Sequence, residues 1–406
     1  MKENILKLRN CYGCGVCVKV CPVKIISLRE NPDGFYQPAI EKQDKCIECG
    51  RCLKTCAFNH TDVAQEEHKI ESYGAWSNNE NVRLRCSSGG IGFEIGRKLI
   101  KNGYKGIGVL YNPDTYRAEH FIANTVEEFM PSAGSKYIPS DTTKALTNID
   151  SVNKYLVTGT PCQIDSFRRY IRMIRKEENF ILLDFFCHGV PSLLLWDKYI
   201  SELSKQIGEP TFVSWRNKTT GWHDSWSMQA DINLQSLNYQ VSYNLNKPEK
   251  KHLYTSRKSE GDLFYKMFLD NLCLNKCCYT TCKYKLMASA ADIRIRDAWG
   301  TTYKENTKGV SILLALTTRG KNIVSSLEES SILEPKPLSI LIEGQMQHNA
   351  HYPSIRDKVV NALKTDMTLN QIDNNIIKPY YYRFIPARIA NRILRTLRIK
   401  PIFRTR

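Results

Sequence analysis

Two quartets of cysteines with identical spacing occupy the first sixty residues of this 406-residue chain. Each reads C-x2-C-x2-C-x3-C, a spacing in which three thiolates of one run and the fourth thiolate of the other hold a [4Fe–4S] cluster. The quartets are Cys11, Cys14, Cys17 and Cys21, then Cys46, Cys49, Cys52 and Cys56. Because each run lends its fourth cysteine to the other cluster, one cluster is predicted on Cys11, Cys14, Cys17 and Cys56. The second is predicted on Cys46, Cys49, Cys52 and Cys21.

Two other interpretations of these cysteines fit less well. A zinc site usually takes paired C-x2-C knuckles, which three cysteines plus a fourth match poorly. Disulfide frameworks belong to short secreted chains, and no apolar run typical of a signal peptide precedes Cys11. Residues 1–60 therefore resemble a two-cluster ferredoxin module. One departure is Ala57, which follows the last cysteine where such modules usually carry proline.

The composition indicates an ordinary globular protein of more than one domain, with 42% hydrophobic and 24% charged residues. No stretch approaches the length of a membrane-spanning helix, and fifteen cysteines without an export signal predict a reducing cytoplasm. The net charge of +17 is concentrated in part between Arg383 and Arg406, where no residue is acidic. A basic surface suits acidic redox partners, nucleic acid or anionic lipid, and charge alone does not choose among them.

Beyond a polar linker over 61–72, strands and helices alternate. Strands are predicted over 106–111, 154–158, 180–186 and 311–316, and helices over 93–102, 164–175 and 193–207. Apolar strands alternating with helices favour a sheet covered on both faces. The turn Cys86-Ser-Ser-Gly-Gly90 opens the first of these helices and forms either an anion site or a plain helix cap. No strand is evident directly before it, so its glycines do not match a dinucleotide fingerprint.

Cysteines recur in this second region. Cys162 and Cys187 lie in loops that follow two predicted strands, the position at which α/β sheets gather ligands. Four more cysteines crowd together downstream: Cys273, Cys277, Cys278 and Cys282. Two of these with Cys162 and Cys187 would supply the four thiolates of a third cluster. Cys273, in an apolar context, best fits a buried hydrophobe.

Two further segments each allow two interpretations. From Thr211 to Tyr243, short alternating runs predict an antiparallel insertion, in which Arg216 and Lys218 stand beside tryptophans. That stretch forms either a cofactor contact or a solvated hairpin tip. Residues 385–399 predict a two-faced helix with arginines on one side. Its apolar side either docks on the protein's own domain or lies on an anionic membrane surface.

The order of motifs resembles the coenzyme F420 hydrogenase/dehydrogenase β-subunit family, in versions that carry an N-terminal ferredoxin module. The motifs are Cys86-Ser-Ser-Gly-Gly90, Gly134-Ser-Lys-Tyr137, Gly159-Thr-Pro-Cys-Gln163, Cys187-His-Gly-Val-Pro-Ser192, Arg216-x-Lys218-x-x-Gly-Trp222, Asp297-Ala-Trp-Gly300 and Lys308-Gly-Val-Ser311. The resemblance implies an α+β or α/β protein: a bacterial ferredoxin-like module (1–60), a linker (61–72), and a mixed α/β flavin-binding catalytic domain. That domain comprises an N-terminal-type region (73–150) and a C-terminal-type region (151–330), followed by a helical, basic tail (331–406).

The resemblance also implies cofactors and site residues. Relatives bind a flavin, usually FAD, and an inner [4Fe–4S] cluster in the catalytic domain. By motif, the ligands of the inner cluster would be Cys162, Cys187, Cys278 and Cys282. The residues implied to approach the flavin are Ser87, Ser88, Gly89, Gly90, Lys136, Thr158 and Gly159. The residues implied to act on the flavin or its substrate are His188, Lys136, Arg216 and Lys218.

Two departures from the family pattern concern the inner cluster. Arg296 precedes Asp297 where relatives usually have glycine, which places a bulky cation at an expected close turn. One extra residue separates Cys278 from Cys282, so Cys277 remains an alternative ligand.

The main hypothesis is an iron–sulfur flavoprotein oxidoreductase that passes electrons from a low-potential donor, such as ferredoxin, through [4Fe–4S] clusters to FAD and an organic acceptor. Because the chain looks most like bacterial members encoded in polysaccharide loci, the acceptor is expected to be a small molecule or saccharide, with F420 another candidate substrate. The alternative is an electron-relay β subunit of a larger hydrogenase or dehydrogenase complex. Nucleic acid is not expected, because no binding fold is evident. We expect a cytoplasmic protein, with peripheral membrane contact if the C-terminal helix binds lipid.

Overall fold

The computed structural model describes residues 3–8, 10–65, 69–232 and 254–386. The two-faced helix expected at 385–399 therefore lies almost entirely outside the described residues, as does the antiparallel insertion from residue 233 onward. No helix within these ranges is long and apolar enough to cross a membrane.

Residues 3–65 form a small module of two short helices and a hairpin. Strands β1 (Ile26–Glu30) and β2 (Tyr36–Ile40) pair antiparallel, and helices α1 (Val16–Val20) and α2 (Arg51–Thr55) pack together. Each helix begins after a glycine in the left-handed conformation, and at the first of these, Gly15, φ is 70°. A β-carbon on Gly15 would also lie 2.1 Å from Thr142 Oγ1 of the larger domain. Backbone conformation and close approach both require glycine there.

The larger domain contains two sheets. Its strands are β3 (Glu71–Ser77), β4 (Tyr104–Asn112), β5 (Arg117–Ala123), β6 (Ser140–Asp141), β7 (Lys154–Thr158), β8 (Phe180–Phe185), β9 (Phe212–Ser214), β10 (Ser227–Asp231), β11 (Tyr254–Arg257), β12 (Ile293–Asp297), β13 (Ser311–Ala315) and β14 (Ser331–Pro335). The main sheet has nine strands in the order β14-β3-β13-β12-β8-β7-β4-β5-β6. Strands β9 to β11 form a small antiparallel sheet, which agrees with the predicted insertion.

The helices of the larger domain lie mostly between these strands. They are α3 (Glu80–Arg85), α4 (Ile91–Lys101), α5 (Val126–Phe129), α6 (Thr143–Thr147), α7 (Pro161–Met173), α8 (Leu193–Ile207), α9 (Leu263–Leu269), α10 (Lys276–Thr280), α11 (Thr318–Ser325), α12 (Leu338–Leu341), α13 (Arg356–Leu363), α14 (Leu369–Ile372) and α15 (Lys378–Tyr382). A π-helical turn, Asp373–Ile377, joins the last two. The helices predicted over 93–102, 164–175 and 193–207 are found within three residues of their expected bounds.

The centre of the main sheet is parallel: β4, β7, β8 and β12 run in one direction. All four predicted strands are found within two residues of their expected ends. The other five strands of the main sheet, β3, β5, β6, β12 and β14, were not predicted, and two of them change an expectation. Strand β3 begins inside the predicted linker, so the expectation that no strand precedes the Ser/Gly turn was wrong, although α3 intervenes. Strand β14 opens the region predicted to be a helical tail.

The core lies on both faces of the sheet, as predicted. On one face Tyr155, Val157, Phe180 and Leu182 pack with α7 and with apolar residues of the N-terminal module. On the other face, the alternate residues of β7 and β8 pack with α4 and α5. Strands buried on both faces must be apolar at consecutive positions, which explains the continuous hydrophobic run of β8. The N-terminal module therefore shares a core with the sheet domain.

Candidate metal centres and active site

The four cysteines assigned to the second cluster line one pocket at the outer end of the module. The cysteines that line this pocket are Cys21, Cys46, Cys49 and Cys52. Most of the remaining lining residues are apolar. Cys49 is exposed and the neighbouring Ile47 side chain is 61% exposed, so this pocket opens to the surface. The grouping crosses the two quartets in the way that the spacing predicts.

The four cysteines assigned to the first cluster lie at the inner end of the module, against the sheet domain. Burial raises the pKa of the Cys17 thiol well above its ordinary value, and the nearby thiols of Cys14, Cys11, Cys56 and Cys52 raise it further. Three of these neighbours belong to the same predicted cluster, and Cys52 belongs to the other. The two predicted cluster sites are therefore adjacent.

A third group of cysteines meets where α7, β8 and α10 converge. Cys162 lies in the first turn of α7, Cys187 two residues beyond β8, Cys278 within α10 and Cys282 just after it. Burial raises the pKa of Cys162 well above its ordinary value, and the thiols of Cys187, Cys278 and Cys14 raise it further. The same holds for Cys278, with Cys187 and Cys282 as its thiol neighbours. The four predicted inner ligands are thus brought together, next to Cys14 of the module.

Cys277 points elsewhere. Its buried Sγ lies 3.6 Å from the carbonyl oxygen of Cys11, to which Asn275 Nδ2 also donates at 3.2 Å. This geometry favours Cys278 over Cys277 as the inner ligand. Within the described ranges, no three His, Cys, Asp or Glu side chains converge as the ligands of a single metal ion do. A four-iron cluster makes no such demand, because each thiolate binds a different iron.

Arg296 is accommodated beside this third group. Its guanidinium donates to the carbonyl oxygen of Phe186, the residue before Cys187. Lys285 Nζ donates to the carbonyls of Cys187 and His188, at 2.8 and 3.1 Å. Both cations thus hold the loop after β8, and Arg296 leaves the four cysteines grouped.

The loops expected to contact a flavin lie at the same edge of the main sheet. Because β3, β7, β8 and β12 point the same way, their carboxyl ends meet there. Thr158 ends β7 with its hydroxyl bonded to the Ile107 carbonyl, and Gly159 N donates to Leu183 O at 3.1 Å. Residues 87–90 reach this edge after β3 and α3. In α/β sheets this edge is where ligands bind.

The Ser/Gly turn is fixed against two strands. Gly89 N donates to Ser311 Oγ at 3.0 Å, and a β-carbon on Gly89 would lie 2.3 Å from the Ala75 carbonyl oxygen. Ser87 Oγ bonds to Ser135, and Ser88 Oγ donates to the Val310 carbonyl at 2.7 Å. Gly90, with φ 87°, then begins the eleven-residue helix α4. The turn presents a helix N-terminus toward the sheet edge, where the helix dipole favours an anion.

Two lysines stand beside this turn, and each ammonium group is held by backbone carbonyls. Lys136 Nζ donates to the carbonyls of Pro131, Ala133 and Gly134 at 2.6 to 3.1 Å. Lys218 Nζ donates to the carbonyls of Arg83, Ser88 and Lys308. Burial lowers the pKa of both lysines to about 7, against a smaller opposing effect of the Cys86 thiol.

Arg216 is buried and braces the same turn. Its guanidinium makes two hydrogen bonds to Asp297, at 3.1 and 3.2 Å, and donates to the Ser87 carbonyl at 3.1 Å. It lies 4.8 Å from the ring centre of Trp226 and 5.5 Å from that of Trp299. Burial alone would raise the pKa of Asp297, but the Arg216 guanidinium outweighs it and lowers that pKa. Of the two interpretations left open for this stretch, the solvated hairpin tip is therefore wrong for Arg216.

His188 follows Cys187 at the sheet edge. Its ring packs edge-on against Phe268 at 5.1 Å, and Nε2 has no hydrogen-bond partner among the described residues. Burial lowers the pKa of His188 to about 4, and the neighbouring Arg296 and Lys285 lower it further. A neutral imidazole with an unused ring nitrogen is suited to contact a bound molecule.

Comparison with known proteins decides the family. Residues 72–147 match the N-terminal model, and residues 152–340 the C-terminal model, of the coenzyme F420 hydrogenase/dehydrogenase β subunit; together they span well over half of the chain. The chain belongs to the coenzyme F420 hydrogenase/dehydrogenase β-subunit family. Residues 10–60 of this family member match the 4Fe-4S dicluster domain. It is therefore an iron–sulfur electron-transfer protein of that family.

Two individual proteins are similar to this β-subunit-family protein. An uncharacterized protein of Methanocaldococcus jannaschii, MJ1349, is 24% identical over 250 residues, which cover 54% of this chain and 68% of the relative. A chain from a xenon-derivatized structure of the F420-reducing [NiFe] hydrogenase complex from Methanosarcina barkeri matches with a TM-score of 0.44 and 14% identity. That match covers 79% of this chain and 94% of the other.

Several residues that join the β-subunit region to the dicluster domain were not identified from sequence. Lys283 Nζ donates to the carbonyls of Ala57, His60 and Asp62, and Tyr12 OH donates to the Thr281 carbonyl. Thr142 Oγ1 donates to the Cys14 carbonyl, while Asp165 accepts from Ala64 N and Tyr284 OH. These partners are 100 or more residues apart in sequence, so no local pattern indicates them.

Proposed function

We propose that this protein is an iron–sulfur flavoprotein oxidoreductase, which accepts electrons at the outer end of its dicluster domain and delivers them to an organic acceptor at the edge of the main sheet. The observation that carries the proposal is the continuous series of cysteine groups. Exposed Cys49 belongs to the outer pocket, Cys52 neighbours Cys17 of the inner quartet, and Cys14 neighbours Cys162 of the third group.

The chain's own residues supply what such a series requires. Each group offers four cysteines and no competing carboxylate among its predicted ligands, which suits [4Fe–4S] clusters rather than hard cations. When bound, such clusters carry single electrons and a flavin converts between one- and two-electron chemistry. Cys14 and Cys17 of the first group are buried, and the four cysteines of the third group are half-buried, so the interior of the series is largely shielded from water.

For the flavin we propose FAD at the Ser/Gly turn, in contact with residues 87–90, Thr158 and Gly159. Two features support this position. The turn begins α4 at the edge where the carboxyl ends of the parallel strands meet. The amino groups of Lys136 and Lys218, whose pKa values are about 7, lie beside it and add positive charge when they are protonated. His188, with a free ring nitrogen at the same edge, would contact the flavin or the acceptor. Lys136, Arg216 and Lys218 would act by holding this site and its charge.

The chemical class of the acceptor is proposed from family resemblance alone. A saccharide, a lipid-linked saccharide or another small molecule would be reduced at the flavin, and F420 is a further candidate. Ferredoxin or a similar redox protein would be the donor, docking near Cys49 and Ile47.

The alternative is an electron-relay subunit without a substrate of its own. The family description favours it, because the matched models are those of a β subunit of a hydrogenase or dehydrogenase. In that case the outer pocket or the sheet edge would face a partner subunit.

Anaerobic reconstitution of the full chain tests the proposal. Three clusters and one flavin would give about twelve irons and one flavin per chain. The double variant C162S/C187S is expected to retain about eight irons, because only the third group loses ligands. Turnover of candidate acceptors with dithionite and no partner would support the enzyme. Iron without flavin, or flavin without turnover, would favour the relay, and a preparation without iron would refute both.

A further inference from the structure

Ser166 is a polar side chain with no exposed surface, located where the dicluster domain meets the sheet domain. It lies on α7, one helical turn after Cys162, and its accessible surface is 0%. Its Oγ lies 3.3 Å from Cys14 Sγ and accepts a hydrogen bond from the backbone N–H of Ala57 at 3.0 Å. Both contacts cross from the sheet domain to the module, and both involve the first predicted cluster: Cys14 is a predicted ligand, and Ala57 directly follows another, Cys56.

The chemistry of Cys14 determines which way this hydrogen bond runs. In the chain alone, the Cys14 thiol donates to Ser166 Oγ. A cysteine that binds iron is a thiolate, which has no hydrogen to donate and can only accept. A serine hydroxyl has one hydrogen and two acceptor positions. Because Ala57 N–H uses one acceptor position, the hydroxyl keeps its hydrogen for the Cys14 sulfur.

The departure at Ala57 takes part in this arrangement. Ferredoxin-type modules usually carry proline directly after the last cysteine, and this chain does so after Cys21 but not after Cys56. Proline has no N–H and could not donate to Ser166. A serine inside a helix commonly bonds instead to the carbonyl four residues earlier, which here is Cys162. Within the described chain, the contacts of Ser166 Oγ are Cys14 and Ala57.

We propose that the Ser166 hydroxyl donates a hydrogen bond to the Cys14 thiolate and thereby raises the reduction potential of the first cluster. This inference rests on the proposed ligation of that cluster by Cys11, Cys14, Cys17 and Cys56. One-electron reduction makes a cluster more negative, so a donor to its sulfur stabilises the reduced form more than the oxidised form. Ser166 is a positioning residue: it acts through Cys14 and contacts no substrate.

A consequence follows for the series of cysteine groups. Because Ser166 belongs to α7, the sheet domain itself sets the potential of the cluster that lies closest to Cys162. Neighbouring Asp165 holds the same contact by accepting from Ala64 N and Tyr284 OH, at 3.0 and 2.8 Å. Docking of the module on the sheet domain would therefore make reduction of the first cluster, which lies next to the third group, more favourable than it is in an isolated module.

The test is a redox titration of the anaerobically reconstituted full chain, with mediator dyes and dithionite, followed by electron paramagnetic resonance. In S166A, one midpoint potential should become more negative while the others stay in place. We expect at least a tenfold change in the one-electron equilibrium of that cluster, or about 59 mV. S166T, which keeps the hydroxyl, should match the wild type, and S166C, a weaker donor, should fall between.

The matched control is T142V. Buried Thr142 Oγ1 donates at 3.0 Å to the carbonyl oxygen of Cys14. The valine variant therefore removes a buried hydrogen bond to the same residue but leaves the hydrogen bond to the Cys14 sulfur in place. It should leave all midpoints unchanged. Iron-loaded S166A with unchanged midpoints, or equal shifts in S166A and T142V, would overturn the inference and leave the proposed function standing. If S166A does not assemble, the midpoint potentials of S166C and S166T are compared instead. A more negative midpoint in S166C than in S166T supports the inference, and equal midpoints overturn it. A wild-type chain without [4Fe–4S] signals would overturn the proposed function itself.

Discussion

The adjacent side chains of Cys277 and Cys278 point in different directions, and this separates a structural thiol from a predicted ligand. Both thiols have Cys282 as a neighbour, but Cys278 also lies near Cys187, whereas Cys277 Sγ contacts the Cys11 carbonyl at 3.6 Å. Spacing alone left both open, because a short helix can present either residue to the same partners.

Single serine substitutions distinguish the two cysteines. C278S should lower the iron content of the reconstituted chain from about twelve to about eight per chain, since a cluster that lacks one thiolate is lost. C277S should retain about twelve, because its hydroxyl can still donate to the Cys11 carbonyl. Iron and sulfide analysis checks both variants. The reverse result would move the inner ligand to Cys277.

Lys136 should make the stability of the protein depend on pH near neutrality. Burial lowers its folded-state pKa to about 7, whereas an unfolded lysine titrates near 10.4. Between these values the unfolded state holds a proton that the folded state has released, so stability falls as pH decreases from about 10 to 7. The slope per lysine is at most about 1.4 kcal/mol per pH unit.

The variant K136Q should remove that contribution. Its urea midpoint relative to wild type should be higher at pH 7.5 than at pH 9, where the wild type regains stability. K101Q, at an exposed position at the end of α4, serves as the control and should show no such trend. A difference between K136Q and wild type that is the same at both pH values would contradict the lowered pKa.

Arg216 illustrates what residue type can and cannot predict. Its place beside tryptophans suggested a cofactor contact or a solvated hairpin tip, whereas the structure shows it buried against Asp297, which is 81 residues away. R216K should destabilise the protein by about 3 kcal/mol or more, because lysine cannot form the two parallel bonds and leaves a buried carboxylate poorly paired. D297N/R216K, which also removes the carboxylate charge, should recover part of the loss. Urea unfolding measures both, and an unchanged R216K midpoint would show that the pair contributes little.

At the scale of secondary structure elements, strands with continuous apolar runs were predictable and strands at the sheet's far side were not. Phe180–Phe185 and Ser311–Ala315 are hydrophobic at nearly every position because both of their faces are covered. Strand β3, with the sequence ESYGAWS, contains a charge, two serines and a glycine, and its burial comes from neighbours far away in the chain. Among the described strands, β14 pairs with β3 at the edge of the main sheet. Its partner is distant in sequence, so no local pattern predicts the strand.

The packing of the Ser/Gly turn on β3 and β13 leads to a prediction about the turn itself. In G89A the new methyl group would meet the Ala75 carbonyl oxygen at 2.3 Å and Ser311 N at 2.8 Å, both backbone atoms. Overpacking of this kind typically costs about 1–3 kcal/mol, and it should also displace the turn and lower the flavin content. G92A, in the first turn of α4, would meet only the flexible end of Ile295 and should be nearly neutral. Equal midpoints and flavin contents in the two variants would show that the turn has room to adjust.

At the scale of the whole molecule, the sequence predicts a module, a linker and a catalytic domain, but it says little about how tightly the module and the sheet domain join. The polar composition of 61–72 indicated a linker between them. In the structure, Ile5, Val16 and Val20 of the module share a hydrophobic cluster with Phe167 and Phe180 of the sheet domain. Contacts between residues so distant in sequence cannot be read from periodicity, which reports only which face of an element is apolar.

This shared core predicts that the module and the sheet domain unfold together. In anaerobic urea titrations, the loss of iron–sulfur absorbance and the loss of far-ultraviolet circular dichroism should have the same midpoint, because opening the module would expose the apolar face of α7. K283A removes three hydrogen bonds from Lys283 to the module and should let the absorbance midpoint fall below the dichroism midpoint. K304A, at an exposed site, should keep them equal. Separate midpoints in the wild type would mean that the module and the sheet domain unfold independently. Electron transfer between the clusters of the module and the third group would then depend on a docking equilibrium between two folded units.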